Sequence, residues 1–273
     1  MENYSFLVSV YKNTKVNEFK ESMESMINQT VKPEQIVIVF DGAVSKELND
    51  CIEKYDFQNK DLLTLVKLEQ NVGLGLALKE GVKHCRNEIV ARMDTDDIAV
   101  LDRCEKQLKC FVEDSSLSIC GSNIAEFIGN TNNIVSYRNV PEKHEDICEY
   151  LKSRCPFNHM AVMFKKSEVE KAGGYEHWHY NEDSYLWVRM YLVGCKFYNI
   201  QEALVFARIN TDTFKRRGGY KYYKSERDLF RFMYKNNVIT YFEYLKAKFI
   251  RFVVQVMMPN FVRQWFFKKF ARS

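Results

Sequence analysis

A switch of period, repeated several times in the first hundred residues, most constrains what this chain can fold into. Short apolar runs alternate with segments whose apolar positions recur every three or four residues. FLVSV at 6–10 is apolar and bounded by polar residues, the pattern of a buried strand. Val16, Phe19, Met23, Met26 and Ile27 then mark one face of a helix. Pro33 precedes a second buried strand, IVIVF at 36–40, which stops at the turn pair Asp41-Gly42. The same alternation continues with a helix through Leu48, Cys51, Ile52 and Tyr55, a strand over 62–68 and a helix over 74–85. A strand over 88–93 then runs straight into Asp94-Thr95-Asp96-Asp97. This order predicts an α/β fold, a mostly parallel sheet with helices on both faces. Ligands of such sheets bind outside the carboxyl ends of the strands, where Asp41 and the 94–97 cluster fall.

Further along, Cys104, Leu108, Phe111 and Val112 predict one more helix, and 117–140 an extended stretch with a turn at 129–133. A short strand (161–164), a turn at Gly173-Gly174 and a helix over 182–193 follow. The last sixty residues differ in charge. From Phe214 onward 15 Lys and Arg face 3 Asp and Glu, a net +12, so residues 1–213 carry about −8 of the overall +4. Two units are therefore expected, a main domain over 1–213 and a basic, helical appendage over 214–273. Such a distribution suits an anionic surface better than a duplex, and no nucleic-acid motif is present. The eight cysteines include no CxxC pair and no zinc spacing, and with no signal peptide read at the start a cytoplasmic setting is expected. No run approaches the roughly 18 apolar residues of a spanning helix.

Three groups carry chemistry. Asp94, Asp96 and Asp97 place three carboxylates in four residues, and packed carboxylates repel unless a cation, donors or protons offset them. A hard divalent ion answers that need, although an acidic turn or helix cap has the same composition. Asn71-Val72-Gly73-Leu74-Gly75 opens a predicted helix, where backbone N–H groups can approach a phosphate or merely close a turn. Glu182-Asp183 sits among aromatic residues, Trp178 through Trp187. Burial there would raise a carboxyl toward a useful general-base value, while acidic residues at a helix start also simply complement its dipole.

In order, these pieces resemble the family 2 glycosyltransferases of the GT-A fold, over roughly residues 4–210. FLVSVYKN is similar to that family's opening strand, and QTVKPEQIVIVFDG to its Q-T-x-x-x-x-E-I-I-V-V-D-D-G-S stretch, with Phe40 in place of the first aspartate. NVGLGLALKEGVKHCRNEIVARMDTDD resembles N-x-G-x-x-x-A-x-N-x-G leading to D-x-D-D, with Lys79 where asparagine is common, and NEDSYLWVRM resembles E-D-x-x-L-W-x-R. The resemblance implies a Rossmann-like GT-A domain and an inverting transfer from a UDP-sugar. It implies donor contacts at Asp41, Asn71, Gly73, Asp94 and Asp96, with Mn2+ or Mg2+ held by Asp96 and Asp94. Asp183 would be the catalytic base, supported by Glu182, with Trp187 on the acceptor side.

CPFNHMAVMFKKSEVEKAGGY is further similar to bacterial O-antigen and exopolysaccharide transferases. That likeness implies a polyprenyl-diphosphate-linked sugar acceptor, with Asn158 and His159 near it or its diphosphate and His159 as a further candidate metal ligand. It suggests galactose or glucose as the sugar. In the appendage, Phe242, Leu245, Phe249, Phe252, Val253 and Val256 share one helical face opposite Lys248 and Arg251. Beyond Pro259, Phe261, Trp265, Phe266, Phe267 and Phe270 interleave with Arg263, Lys268, Lys269 and Arg272. This predicts either an interfacial helix on the anionic inner face of the cell membrane or a face packed on protein. Two other functions share parts of the pattern: a sugar nucleotidyltransferase, which would want a glycine-rich basic loop where Tyr11-Lys12-Asn13-Thr14 stands, and a silent nucleotide-sugar-binding scaffold.

Overall fold

The computed structural model describes residues 2–209 and 218–258. The period switches become β1 (Tyr4–Val10), α1 (Val16–Ile27), β2 (Gln35–Phe40), α2 (Lys46–Gln58), β3 (Leu63–Lys67), α3 (Leu74–His84) and β4 (Ile89–Arg92). β1 pairs in parallel with β2 and β4, and β2 with β3, so the first four strands form the parallel half of the sheet. Side chains alternate across it. Phe6, Val8, Ile36 and Ile38 meet Phe19, Met23, Leu48 and Ile52 of α1 and α2 on one face. Leu7, Val37 and Val39 meet Leu78 and Val82 of α3 on the other. Burial on both faces explains why β1, β2 and β4 are mostly apolar, whereas β3 at the sheet edge is only partly buried.

The rest is mixed. β5 (Ile98–Ala99), α4 (Arg103–Glu113), β6 (Leu117–Phe127), β7 (Ile134–Arg138), α5 (His144–Leu151), β8 (Met163–Lys165), α6 (Lys166–Lys171), α7 (Glu182–Leu192) and β9 (Lys196–Arg208) follow. The sheet order is β3-β2-β1-β4-β8-β6-β9-β5, with β7 pairing the second half of β6 on the side away from β9. β8 runs antiparallel to both neighbours, whereas the long β6 and β9 are parallel. Ala161 lies in a single 3-10 turn (His159–Ala161), not in β8, and Val112 on α4 is exposed instead of buried.

Two more helices, α8 (Tyr220–Lys235) and α9 (Tyr241–Phe252), end in a π-helical turn over Val253–Met257. Composition assigned α8 to the appendage, yet Leu229, Phe230 and Met233 share one core with α3 and α7. Trp178 Nε1 donates to Ser225 O and Asn181 Nδ2 to Ser225 Oγ, so α8 braces the start of α7. α9 differs: none of its residues is buried. Arg251, opposite the apolar face, turns inward, where Nη2 donates to Ser153 O at 2.7 Å and the guanidinium lies over Phe230. Of the apolar face, Phe242 is 82% and Phe249 69% exposed. Among the described residues no helix is long and apolar enough to cross a membrane. The aromatic and basic stretch beyond Pro259 and the 213/214 boundary lie outside the described residues.

Candidate active site

β4 delivers its last residue, Arg92, to the carboxyl edge of the sheet, where the chain turns through Asp94–Asp97 with Asp97 N donating to Asp94 O. Ser22 Oγ donates to Asp94 O, Thr95 Oγ1 donates to Ser9 O, and β5 ties the far end to β9. This tethering leaves one oxygen from each of Asp94, Asp96 and Asp97 within 4.8 Å of the others. Asp94 pairs with the buried Arg92 at 2.5 Å, and Asp97 Oδ1 accepts from Arg208 N at 2.8 Å. Loss of solvation, then the Asp94 charge, pushes Asp96 up to about 6; burial and both neighbours raise Asp97 well above the usual range. Hard oxygen donors crowded until they bind protons fit a divalent cation, which would relieve the same repulsion.

α7 brings a second carboxylate pair. Asp183 Oδ1 accepts from Ser184 N at 2.6 Å, and the Cys155 thiol donates to Oδ2 at 3.5 Å, so the carboxylate is oriented. Glu182 is pushed up to about 7, first by burial and then by Asp183, with Asp94 adding and Arg92 opposing. Tyr175 is fully buried, and burial raises its phenol; Arg92, Asp183, Glu182 and Asp94 all act on it. The aspartate turn and the start of α7 thus share one charged environment. Nothing in the spacing of residues 94 and 183 requires this.

Asp41 lies at the end of β2, but its carboxylate is occupied: it accepts from Asn71 Nδ2 (2.9 Å), Val72 N (2.7 Å) and Gly73 N (3.1 Å). All three predicted donor residues there therefore close one loop. Gly75 sets that loop against α7, since a Cβ would meet Glu176 O at 2.5 Å and Glu182 Cβ at 3.0 Å.

Three residues expected on the acceptor side sit deeper than anticipated. Trp187 is fully buried, edge-on to Phe157 and His159, so it has no surface to offer a sugar. Asn158 is fully buried, and its Nδ2 donates to Ser122 O and Arg138 O. His159 lies outside the carboxylate group; its Nε2 meets the Tyr175 hydroxyl at 2.9 Å, and burial holds it well below the usual histidine range. A neutral imidazole so engaged is a wall residue in this structure. Sequence reading passed over Arg92 and Tyr175. The signal for Arg92 was a lone charge inside an apolar strand.

The family model for Glycosyl transferase family 2 matches residues 5–170. The chain belongs to that family. An uncharacterized glycosyltransferase of Haemophilus influenzae is 43% identical over 85% of each chain. The amylovoran biosynthesis glycosyltransferase AmsE of Erwinia amylovora is 36% identical over 84% of each. The UDP-Gal:alpha-D-GlcNAc-diphosphoundecaprenol beta-1,3-galactosyltransferase of Escherichia coli is 35% identical over 98% of this chain and 96% of its own. The GT-A-like fold matches that of S. aureus TarS solved with UDP-GlcNAc (TM-score 0.67, 16% identity, 95% of this chain, 75% of that one). It also matches the Pyrobaculum calidifontis mannosyltransferase PcManGT solved with GDP-Man and Mn2+ (TM-score 0.64, 15% identity, 95% and 71%). This family 2 chain is accordingly a glycosyltransferase similar to bacterial exopolysaccharide and O-antigen enzymes.

Proposed function

We propose that the chain is a metal-dependent, inverting hexosyltransferase that moves galactose or glucose from a UDP-sugar to a hydroxyl of a lipid-diphosphate-linked sugar. The observation that carries this reading is the shared environment of Asp94, one of three clustered carboxylates, with Glu182 and Asp183 at the start of α7. The Escherichia coli relative supports the substrates, because its name specifies a UDP-hexose donor and a diphosphoundecaprenol acceptor.

In this mechanism Asp183 takes the proton of the acceptor hydroxyl as that oxygen forms a bond to the anomeric carbon. The bond from that carbon to the nucleoside diphosphate breaks on the opposite side, so the configuration inverts. The Cys155 and Ser184 contacts hold Asp183 in place for this task. Glu182, raised toward neutrality, limits like-charge repulsion against Asp183. Asp94 and Asp96, with Asp97 behind them, would hold Mn2+ or Mg2+, which when bound neutralises charge on the leaving diphosphate. The exposed Phe242 and Phe249 of α9 and the basic C-terminal sixty residues support docking on the anionic inner face of the cell membrane, where a polyprenyl-linked acceptor resides.

The direct test is Asp183→Asn. Transfer to a lipid-diphosphate N-acetylglucosamine, screened with UDP- and GDP-sugars, should fall by about 10²- to 10⁴-fold, the usual worth of a general base. UDP affinity should hold. A mutant turning over at the wild-type rate removes Asp183 from the chemistry.

A further inference from the structure

The cleft beside the aspartate turn is about 100 Å³ and is lined by Asp94, Asp96, Asp97 and Glu126 together with two arginines, 138 and 208. The arginines differ in what already binds them. Arg208 is committed: Nε donates to Asp96 O, Nη1 to Gly129 O, and Nη2 pairs with Glu21. Arg138, on β7 opposite Ile124, donates once, from Nη2 to Cys155 O at 3.0 Å, and forms no ion pair among the described residues. A guanidinium carries five N–H donors in a fixed fork suited to phosphate oxygens.

Its placement is built from both ends. The Arg138 carbonyl accepts from Asn158 Nδ2, which is fully buried, and the guanidinium is held by the Cys155 carbonyl. The same Cys155 presents its thiol to Asp183 Oδ2. Arg138 therefore lines the cleft of the three aspartates while standing one residue's contact from the proton acceptor on α7. An anion between those two groups meets this cation.

We propose that Arg138 is a substrate-binding residue that grips a phosphate of a diphosphate in this cleft. The inference rests on the glycosyl-transfer reading above, in which two diphosphates enter, that of the donor and that of the acceptor. Arg138→Gln keeps a donor for the Cys155 carbonyl but removes the charge; Arg138→Lys keeps the charge and loses the fork. Two quantities are measured: the Kd of UDP with Mn2+ by calorimetry, and KM for N-acetylglucosamine on a lipid diphosphate beside the same sugar on a neutral alkyl chain. In Arg138→Gln one of the two diphosphate affinities should weaken by about 10- to 100-fold, the scale of a charge-assisted contact, with Arg138→Lys intermediate and KM for the neutral acceptor unchanged. Loss in UDP binding assigns the donor, and loss confined to the diphosphate acceptor assigns the acceptor. Unchanged values for both, or equal loss on the neutral acceptor, overturn the proposal. A wild type that binds UDP but transfers nothing would instead sink the glycosyl-transfer reading; Arg138 would then be decided by calorimetric Kd values for UDP and for the lipid diphosphate, and unchanged values for both would overturn it.

Discussion

Glu182 binds its proton more tightly in the folded chain than an ordinary glutamate, up to about 7 against 4.5. Between those values the native state holds more protons than the unfolded one, so this group's contribution to stability falls as pH rises. The buried His159 acts the other way at lower pH, because an imidazole held neutral costs stability once the unfolded chain can protonate it. Comparison with Glu182→Gln isolates the first effect. Melting temperatures in EDTA should show the mutant gaining on wild type from pH 6 to pH 8; a gap that stays constant would mean that Glu182 is solvated as usual. Residues of this kind also mark what the sequence made legible. The aspartates and the Glu182-Asp183 pair announce themselves, since like charges at short spacing need a reason. Arg138 and Tyr175 have ordinary neighbours in the chain, and only distant partners give them meaning. Trp187 and Asn158 show the reverse error, where a motif position was taken for a contact surface and its side chain lies in the core.

Among elements, the first four strands were readable because a buried parallel strand writes itself as a largely apolar run, here broken only by single polar residues such as Ser9 and Thr64. β9 was not read at all. Asn199, Gln201 and Glu202 interrupt its pattern, and its pairing with β6 shifts register twice near Ser122 and Asn123, so no simple period survives. The sequence shows which positions of α9 are apolar, yet which side meets the protein is a tertiary fact. A small and charged side, through Ala247 and Arg251, contacts the domain and leaves Phe242 and Phe249 in solvent. Phe242→Glu with Phe249→Glu should therefore reduce co-sedimentation with vesicles containing anionic lipid by about tenfold or more, given the area of two buried aromatic rings, and leave the melting temperature within a few degrees. A double mutant that pellets like wild type would show that the helix meets something else.

For the molecule as a whole, the acidic turn is a stability problem that a cation would solve. Mn2+ binding the native state alone should raise the melting temperature with the logarithm of its concentration once that exceeds Kd. Because Asp96 and Asp97 hold protons that the ion must displace, the rise should be larger at pH 8 than at pH 6. Asp96→Asn should remove most of that rise, and a Mn2+ response indifferent to both pH and this substitution would place the ion elsewhere. Finally, Gly75 leaves no slack between the first turn of α3 and the peptide before α7. Two stretches a hundred residues apart in sequence are thereby pressed against each other, so that any side chain added at 75 would have to push Glu182 and the Glu176 carbonyl aside.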